Sequence, residues 1–95
     1  MLGISLPLNV REKNLITLAI ESYLPLMKKT EMPIFQLTLK KMKEERPLLD
    51  GMYMRCVEQS LTTKGDPESL MLAAWIEQQR IQFQHAAMNW PQVTA

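Results

Sequence analysis

The chain has 95 residues, 46% of them hydrophobic and 22% charged, so it can form one domain with its own core and falls outside the disordered class. Eleven basic residues oppose ten acidic ones, and a net charge of +1 provides no long-range attraction to nucleic acid or anionic lipid. The single cysteine, Cys56, excludes an internal disulfide and any metal site built on several cysteines, and we expect it to be a small buried residue.

No signal peptide or membrane span is predicted. The apolar start of the chain lacks the positive region that precedes a signal-peptide core. No apolar run approaches the roughly 18 residues that a membrane-spanning helix needs. We therefore expect a cytoplasmic protein that has no membrane partner.

Apolar residues spaced three and four apart, with only three glycines in the chain, favour helix along most of the sequence. The sequence predicts an all-α fold, a single domain over residues 1–95 built as a bundle of about four helices with a long C-terminal helix. The helices are predicted at about residues 9–24, 31–46, 47–63 and 67–90.

Local signals mark the ends of the first two helices. Asn9 can accept a backbone N–H group and Glu12 follows three residues later, which is the pattern of a capping box. Pro25 ends or kinks the first helix, and Thr30 is a candidate cap for the second. Residues 34–39 alternate as a strand would, so a strand stays open there, although the helical face that continues beyond them favours helix.

Capping residues also define the last two helices. The third helix either contains Gly51 or begins there, and Gly65 ends it. Asp66 is a candidate N-cap and Pro67 takes the first helical position. Nothing interrupts the helix before the next proline, so it can run about 23 residues, or about 35 Å.

The final helix carries more apolar surface than one neighbouring helix can cover. Residues 70–76 are consecutive apolar residues, which circle a helix almost twice. Two stripes continue from them, one along Leu72, Trp75, Ile76, Phe83, Ala86, Ala87 and Trp90, the other along Leu70, Ala74, Ile81, His85 and Met88. Either the helix is central in the bundle or one stripe contacts another chain, and the sequence leaves open which stripe is core.

These features predict a non-catalytic protein–protein interaction module, a small adaptor, regulator or inhibitor that acts through apolar helix faces. Its partner would be another protein or a second copy of itself. Tryptophan is favoured at binding hot spots, and flexible methionines suit surfaces that accommodate varied partners. The predicted interface residues are Met71, Trp75, Arg80 (as a rim charge or salt-bridge group), Phe83 and Trp90, with Met54 as a secondary candidate.

The alternative function is a DNA-binding regulator with a helix–turn–helix-like arrangement. Five of the eleven basic residues lie within residues 28–43, namely Lys28, Lys29, Lys40, Lys41 and Lys43. Two glutamates follow this run, and the next helix offers mainly Arg55 as a base-reading side chain. These two features count against nucleic acid as the partner.

The sequence contains no recognisable catalytic, cofactor or metal motif. His85 is the only histidine, and nothing in the sequence links it to Cys56 or to a serine. There is no glycine-rich phosphate-binding loop and no ligand spacing typical of a metal site. We expect a protein that is not an enzyme and that has no cofactor, metal or small-molecule substrate.

Overall fold

The fold is given by a computed structural model that describes the backbone of residues 3–89 and the side chains of residues 3–85. The elements in chain order are β1 (Ile4–Ser5), α1 (Val10–Tyr23), a short 3-10 helix (Leu24–Leu26), α2 (Met32–Lys41), β2 (Leu48–Leu49), α3 (Gly51–Lys64) and α4 (Pro67–Asn89). The four α-helices contain most of the described residues, so the all-α prediction is confirmed and the two-stranded sheet is a small addition.

The first predicted helix is confirmed almost to the residue. α1 begins after Asn9, whose Oδ1 accepts the Glu12 N–H at 2.7 Å, while the Glu12 carboxylate accepts the Asn9 N–H at 2.9 Å. This capping box satisfies two of the N–H groups that the start of a helix leaves without a partner. α1 ends before Pro25, and the 3-10 helix then leads the chain toward α2.

α2 contains residues 34–39, so the strand alternative for that segment is wrong. Two further details differ from the sequence-based expectation. The N-cap residue is Glu31, not Thr30, and its side chain makes no capping hydrogen bond. The helix ends at Lys41, five residues before the predicted limit, and the next N–H groups, those of residues 42–44, donate to carbonyls three residues back instead of four.

A short antiparallel pairing between β1 and β2 was not predicted. Ile4 lies opposite Leu49, and the Leu6 N–H donates to the Pro47 carbonyl at 3.1 Å just beyond the paired residues. Strands of two residues are too short to display the alternation by which a strand is recognised in sequence. The pairing ties the N-terminal segment to the connection between α2 and α3.

The third helix begins later than predicted. The sequence placed its start at residue 47, but β2 occupies residues 48–49 and α3 begins at Gly51. The Asp50 carboxylate accepts the Tyr53 N–H at 2.9 Å and so acts as the N-cap. Of the two alternatives for Gly51, the structure supports a helix that starts there.

The connection between α3 and α4 matches the sequence signals. Gly65 ends α3 with φ 79°, a left-handed backbone conformation that residues with a Cβ rarely adopt. Asp66 accepts hydrogen bonds from the Ser69 N–H at 3.0 Å and the Ser69 hydroxyl at 2.7 Å, and Pro67 opens α4. No helix formed by residues 3–89 is long and apolar enough to cross a membrane.

α3 is the centre of the bundle, with α1, α2 and α4 packed around it. The thiol of Cys56 is buried on this helix as expected, and burial raises its pKa above the ordinary value. The buried apolar core among the described residues consists of Leu6, Leu8, Ile16, Ala19, Ile20, Phe35, Met42, Leu49, Met54, Cys56, Val57, Leu61, Leu72, Ala73 and Ile76.

Candidate functional site

The two apolar stripes of α4 lie in different environments. The stripe through Leu72 and Ile76 packs into the core, where both side chains are buried. The stripe through Leu70 and Ile81 faces outward: Leu70 is 44% exposed and Ile81 is 50% exposed. α4 is therefore packed against the bundle on one side only. Of the two stripes, the one through Leu72 and Ile76 is the core stripe.

An open groove of about 580 Å³ separates the start of α1 from the first half of α4. Its apolar side chains come from both helices, and Leu15 and Trp75 are partly buried against the core. We call this feature the α1–α4 groove. It is lined by Asn9, Arg11, Glu12, Leu15, Glu68, Met71, Leu72 and Trp75.

An ion pair bridges the two helices at the rim of the groove. The Arg11 Nε and Nη2 atoms both lie 2.7 Å from the Glu68 Oε2 atom. The side chains remain 78% and 51% exposed, so the pair contributes at most about 1 kcal/mol to stability. The ion pair therefore holds one positive and one negative group beside the apolar groove.

The apolar surface continues from the groove along α1. Val10 is 70% exposed and Leu18 is 55% exposed. Both line a second, more open depression that shares Arg11, Leu15 and Glu68 with the groove. The exposed apolar residues of α1 and α4 thus form one connected surface.

Two of the predicted interface residues meet in the α1–α4 groove. Met71 is 76% exposed at its edge, and Trp75 is partly buried with its ring packed against the core. They are four residues apart, which puts them on neighbouring turns of the same helical face. The sequence therefore identified the α4 side of this surface.

Arg80 and Phe83 lie outside the groove. Arg80 binds the Glu58 carboxylate on α3, with its Nε atom 2.6 Å from Oε2, and both side chains are largely buried. This hydrogen bond raises the pKa of Arg80 above its ordinary value. Phe83 packs partly buried against the core. Of the two roles predicted for Arg80, the geometry gives it that of a salt-bridge group.

The prediction of Met54 as an interface residue is wrong, because its side chain is completely buried in the core. Met52, two residues earlier on α3, is 62% exposed instead. The two side chains point about 200° apart on a helix, so only one of them can face the core. The predicted anchor Trp90 lies outside the described residues.

The α1 side of the groove was not identified from the sequence. Arg11 and Glu68 are 57 residues apart, so no local pattern indicates that they meet. Leu18 recurs at helical spacing with Val10 and Leu15, and such an apolar stripe does not reveal which edge stays exposed. Both facts depend on how α1 packs against α4.

The lysines of the alternative function lie mainly at the surface. Lys28, Lys29, Lys40 and Lys43 are exposed, whereas the Lys41 Nζ atom lies 5.2 Å from the centroid of the Tyr53 ring in a cation–π contact. Residues 42–50, including β2, connect α2 to α3. This connection is longer than the turn of about three to four residues in a helix–turn–helix motif.

Among the residues that the structure describes, no three His, Cys, Asp or Glu side chains come together as ligands for a metal ion. His85 is exposed on α4 and Cys56 is buried on α3. Comparisons of this chain with protein families, with curated proteins and with solved structures give no match. The functional argument therefore depends on the geometry of the surface.

Proposed function

We propose that this protein is a non-catalytic protein–protein interaction module, a small adaptor, regulator or inhibitor that acts in the cytoplasm through the α1–α4 groove. The observation that supports this most strongly is Met71, a large apolar side chain that is 76% exposed beside an apolar floor. Such a side chain adds little to the stability of the monomer because folding removes little of its surface from water. It contributes when a second apolar surface covers it.

Trp75 and Met71 have complementary properties for binding. The Trp75 ring is held against the core, so covering its remaining surface immobilises few additional torsions. Tryptophan is enriched at binding hot spots for its large contact area. The thioether of Met71 is flexible and polarisable, and can adapt to the shape of the incoming side chain.

The partner that fits best is another protein that presents a row of apolar side chains from one helix face, because the groove runs between two helices. The Arg11–Glu68 pair at the rim offers one charge of each sign to polar groups around that row. Rim charges of this kind influence orientation and association rate more than affinity. A second copy of the chain is the other candidate partner.

Photo-crosslinking tests this proposal and identifies the partner. A photoreactive amino acid replaces Met71, and the matched control carries it in place of Ile81, which is exposed on the same helix but does not line the groove. We expect one dominant adduct from position 71 in the native cells and little from position 81. An adduct of twice the 11.0 kDa chain mass indicates self-association, and any other mass is identified by mass spectrometry.

Light scattering over about a hundredfold range of protein concentration measures self-association independently. If the mass rises with concentration, Met71→Ala should restore the monomer and Ile81→Ala should not. Equal crosslinking from positions 71 and 81, or none from position 71, would contradict the proposal.

A further inference from the structure

The positive charge of this protein is concentrated in the segment that contains α2. Residues 28–43 include five lysines and one glutamate, a net charge of +4, whereas the whole chain carries +1, so the remaining residues carry −3. None of the ion pairs among residues 3–89 involves Lys28, Lys29, Lys40 or Lys43. Their charges are left for solvent or for a partner.

The exposed face of α2 combines this charge with an apolar depression. Pro33, Gln36, Leu37 and Lys40 line an open depression of about 490 Å³, and their spacing of three and four residues puts them on one helical face. Leu37, one of these lining residues, is 47% exposed. The opposite face of α2 is buried through Phe35 and Thr38.

The lysines stand at both ends of α2. Lys28 and Lys29 precede the first turn of α2, where the Lys28 carbonyl accepts the Glu31 N–H at 2.9 Å. Lys40 and Lys43 lie at the other end, and α2 with its ten residues is about 15 Å long. We define the α2 surface as Lys28, Lys29, Pro33, Leu37, Lys40 and Lys43. It shares no residue with the α1–α4 groove.

We propose that the α2 surface binds an acidic amphipathic segment of a partner protein, in which carboxylates flank one or two large apolar side chains. The carboxylates complement the two lysine clusters, and the apolar side chain enters the depression at Leu37. This proposal concerns a second surface and does not depend on the function proposed for the α1–α4 groove.

The apolar centre is what favours a protein segment over other anionic partners. A nucleic acid uses lysines for its phosphates but gains little from Pro33 and Leu37, which offer no side-chain hydrogen bond to phosphate or base edge. A flat anionic membrane leaves a concave depression unfilled. An apolar side chain projecting from an acidic segment uses both features, as in helix recognition by grooves with charged rims.

A direct test uses a short fluorescein-labelled peptide with glutamates flanking a Leu-Phe pair, and fluorescence anisotropy with the full-length protein. The two test variants are Lys40→Glu and Leu37→Ser. The two matched controls are Arg55→Glu, an exposed basic residue on α3, and Ile81→Ser, an exposed apolar residue on α4 that lines neither the α2 surface nor the α1–α4 groove. Circular dichroism checks that each variant is folded.

We expect Lys40→Glu to raise the Kd of the peptide by about tenfold or more and Leu37→Ser to raise it several-fold, with both controls within about twofold of the unchanged protein. A peptide in which lysines replace the glutamates should bind much more weakly. Affinity that is insensitive to Leu37→Ser, or equal for the two peptides, overturns the proposal.

Duplex DNA and phosphatidylcholine vesicles containing phosphatidylserine serve as competing probes at the same ionic strength. Tighter binding of duplex DNA than of the acidic peptide, weakened by Lys40→Glu but not by Leu37→Ser, overturns the proposal in favour of nucleic acid. The same pattern with the vesicles overturns it in favour of an anionic lipid surface. If both probes bind more weakly than the acidic peptide, the result supports an acidic protein segment as the partner of the α2 surface.

Discussion

The guanidinium of Arg80 on α4 and the carboxylate of Glu58 on α3 form a bidentate ion pair with two hydrogen bonds. The Nε atom lies 2.6 Å from Oε2 and the Nη2 atom 3.2 Å from Oε1, while Nη1 donates to the Gln84 side chain at 3.1 Å. Only 15% of the Arg80 side chain and 14% of the Glu58 side chain are exposed. This pair joins the two helices that pack most extensively against each other.

The first prediction concerns this pair. Glu58→Gln and Arg80→Gln should each lower the free energy of unfolding by about 1–3 kcal/mol, because each leaves a largely buried charged group without its partner. In a double-mutant cycle followed by urea denaturation, the coupling energy should be about 1–2 kcal/mol. Additive effects of the two substitutions would mean that the pair contributes no interaction of its own.

The second prediction compares two methionines on α3. Met54 is completely buried and Met52 is 62% exposed. Met54→Ala should therefore cost about 2–5 kcal/mol of stability through lost burial and a cavity. Met52→Ala should stay within about 0.5 kcal/mol of the unchanged protein. Urea midpoints measure both, and similar losses at the two positions would contradict the packing of α3.

The third prediction concerns the end of α3. Gly65 adopts φ 79° and its N–H donates to the Leu61 carbonyl at 3.1 Å. Gly65→Ala should destabilise the protein by about 1–2 kcal/mol because a Cβ is strained in this conformation. Gly65→Asn should cost less, since asparagine tolerates left-handed backbone better. Thermal unfolding ranks the variants, and a Gly65→Ala variant as stable as the parent would exclude the left-handed C-cap.

The fourth prediction follows from the cap of α4. The Asp66 carboxylate accepts hydrogen bonds from the Lys64 ammonium at 2.8 Å and from the Ser69 hydroxyl and N–H group. These bonds, that from Lys64 first, lower the pKa of Asp66 below its ordinary value of 3.8. Because the pKa of Asp66 is lower in the folded state, the ionised carboxylate stabilises the fold fully at pH values above the ordinary pKa of 3.8. This stabilisation is lost as the pH falls through the pKa of the folded state.

Asp66→Ala should therefore lower the Tm at neutral pH, and its difference from the parent should shrink steadily as the pH falls below about 4. Glu77→Gln, which removes an exposed carboxylate from the same helix, serves as the control. A difference between Asp66→Ala and the parent that stays constant with pH would rule out a titrating cap.

Much of the secondary structure could be predicted from the sequence because its signals are local. The capping box of Asn9 and Glu12, the C-cap at Gly65 and the N-cap at Asp66 each involve residues within four positions of one another. The β1–β2 pair could not be predicted, since its strands are two residues long and 45 positions separate Ile4 from its partner Leu49. The predicted start of the third helix at residue 47 was wrong for the same reason, since β2 occupies residues 48–49.

The candidate site was predicted in part. Met71 and Trp75 stood out because an unusually long apolar run needs two covering surfaces. Met54 was assigned wrongly, because its sequence neighbourhood does not distinguish it from Met52. The α1 residues Val10 and Leu18 were missed, since the width of a stripe does not reveal which edge remains exposed.

The sequence by itself determined an all-α protein with a long final helix that carries two apolar stripes, because helical periodicity, caps and prolines act over a few neighbouring residues. Only the tertiary structure decided that Leu72 and Ile76 face the core and that Leu70 and Ile81 face outward. It also brought Arg11 to Glu68 across 57 residues and Arg80 to Glu58 across 22. Packing between distant segments selects among faces that are equally apolar in sequence, and no local interaction makes that choice.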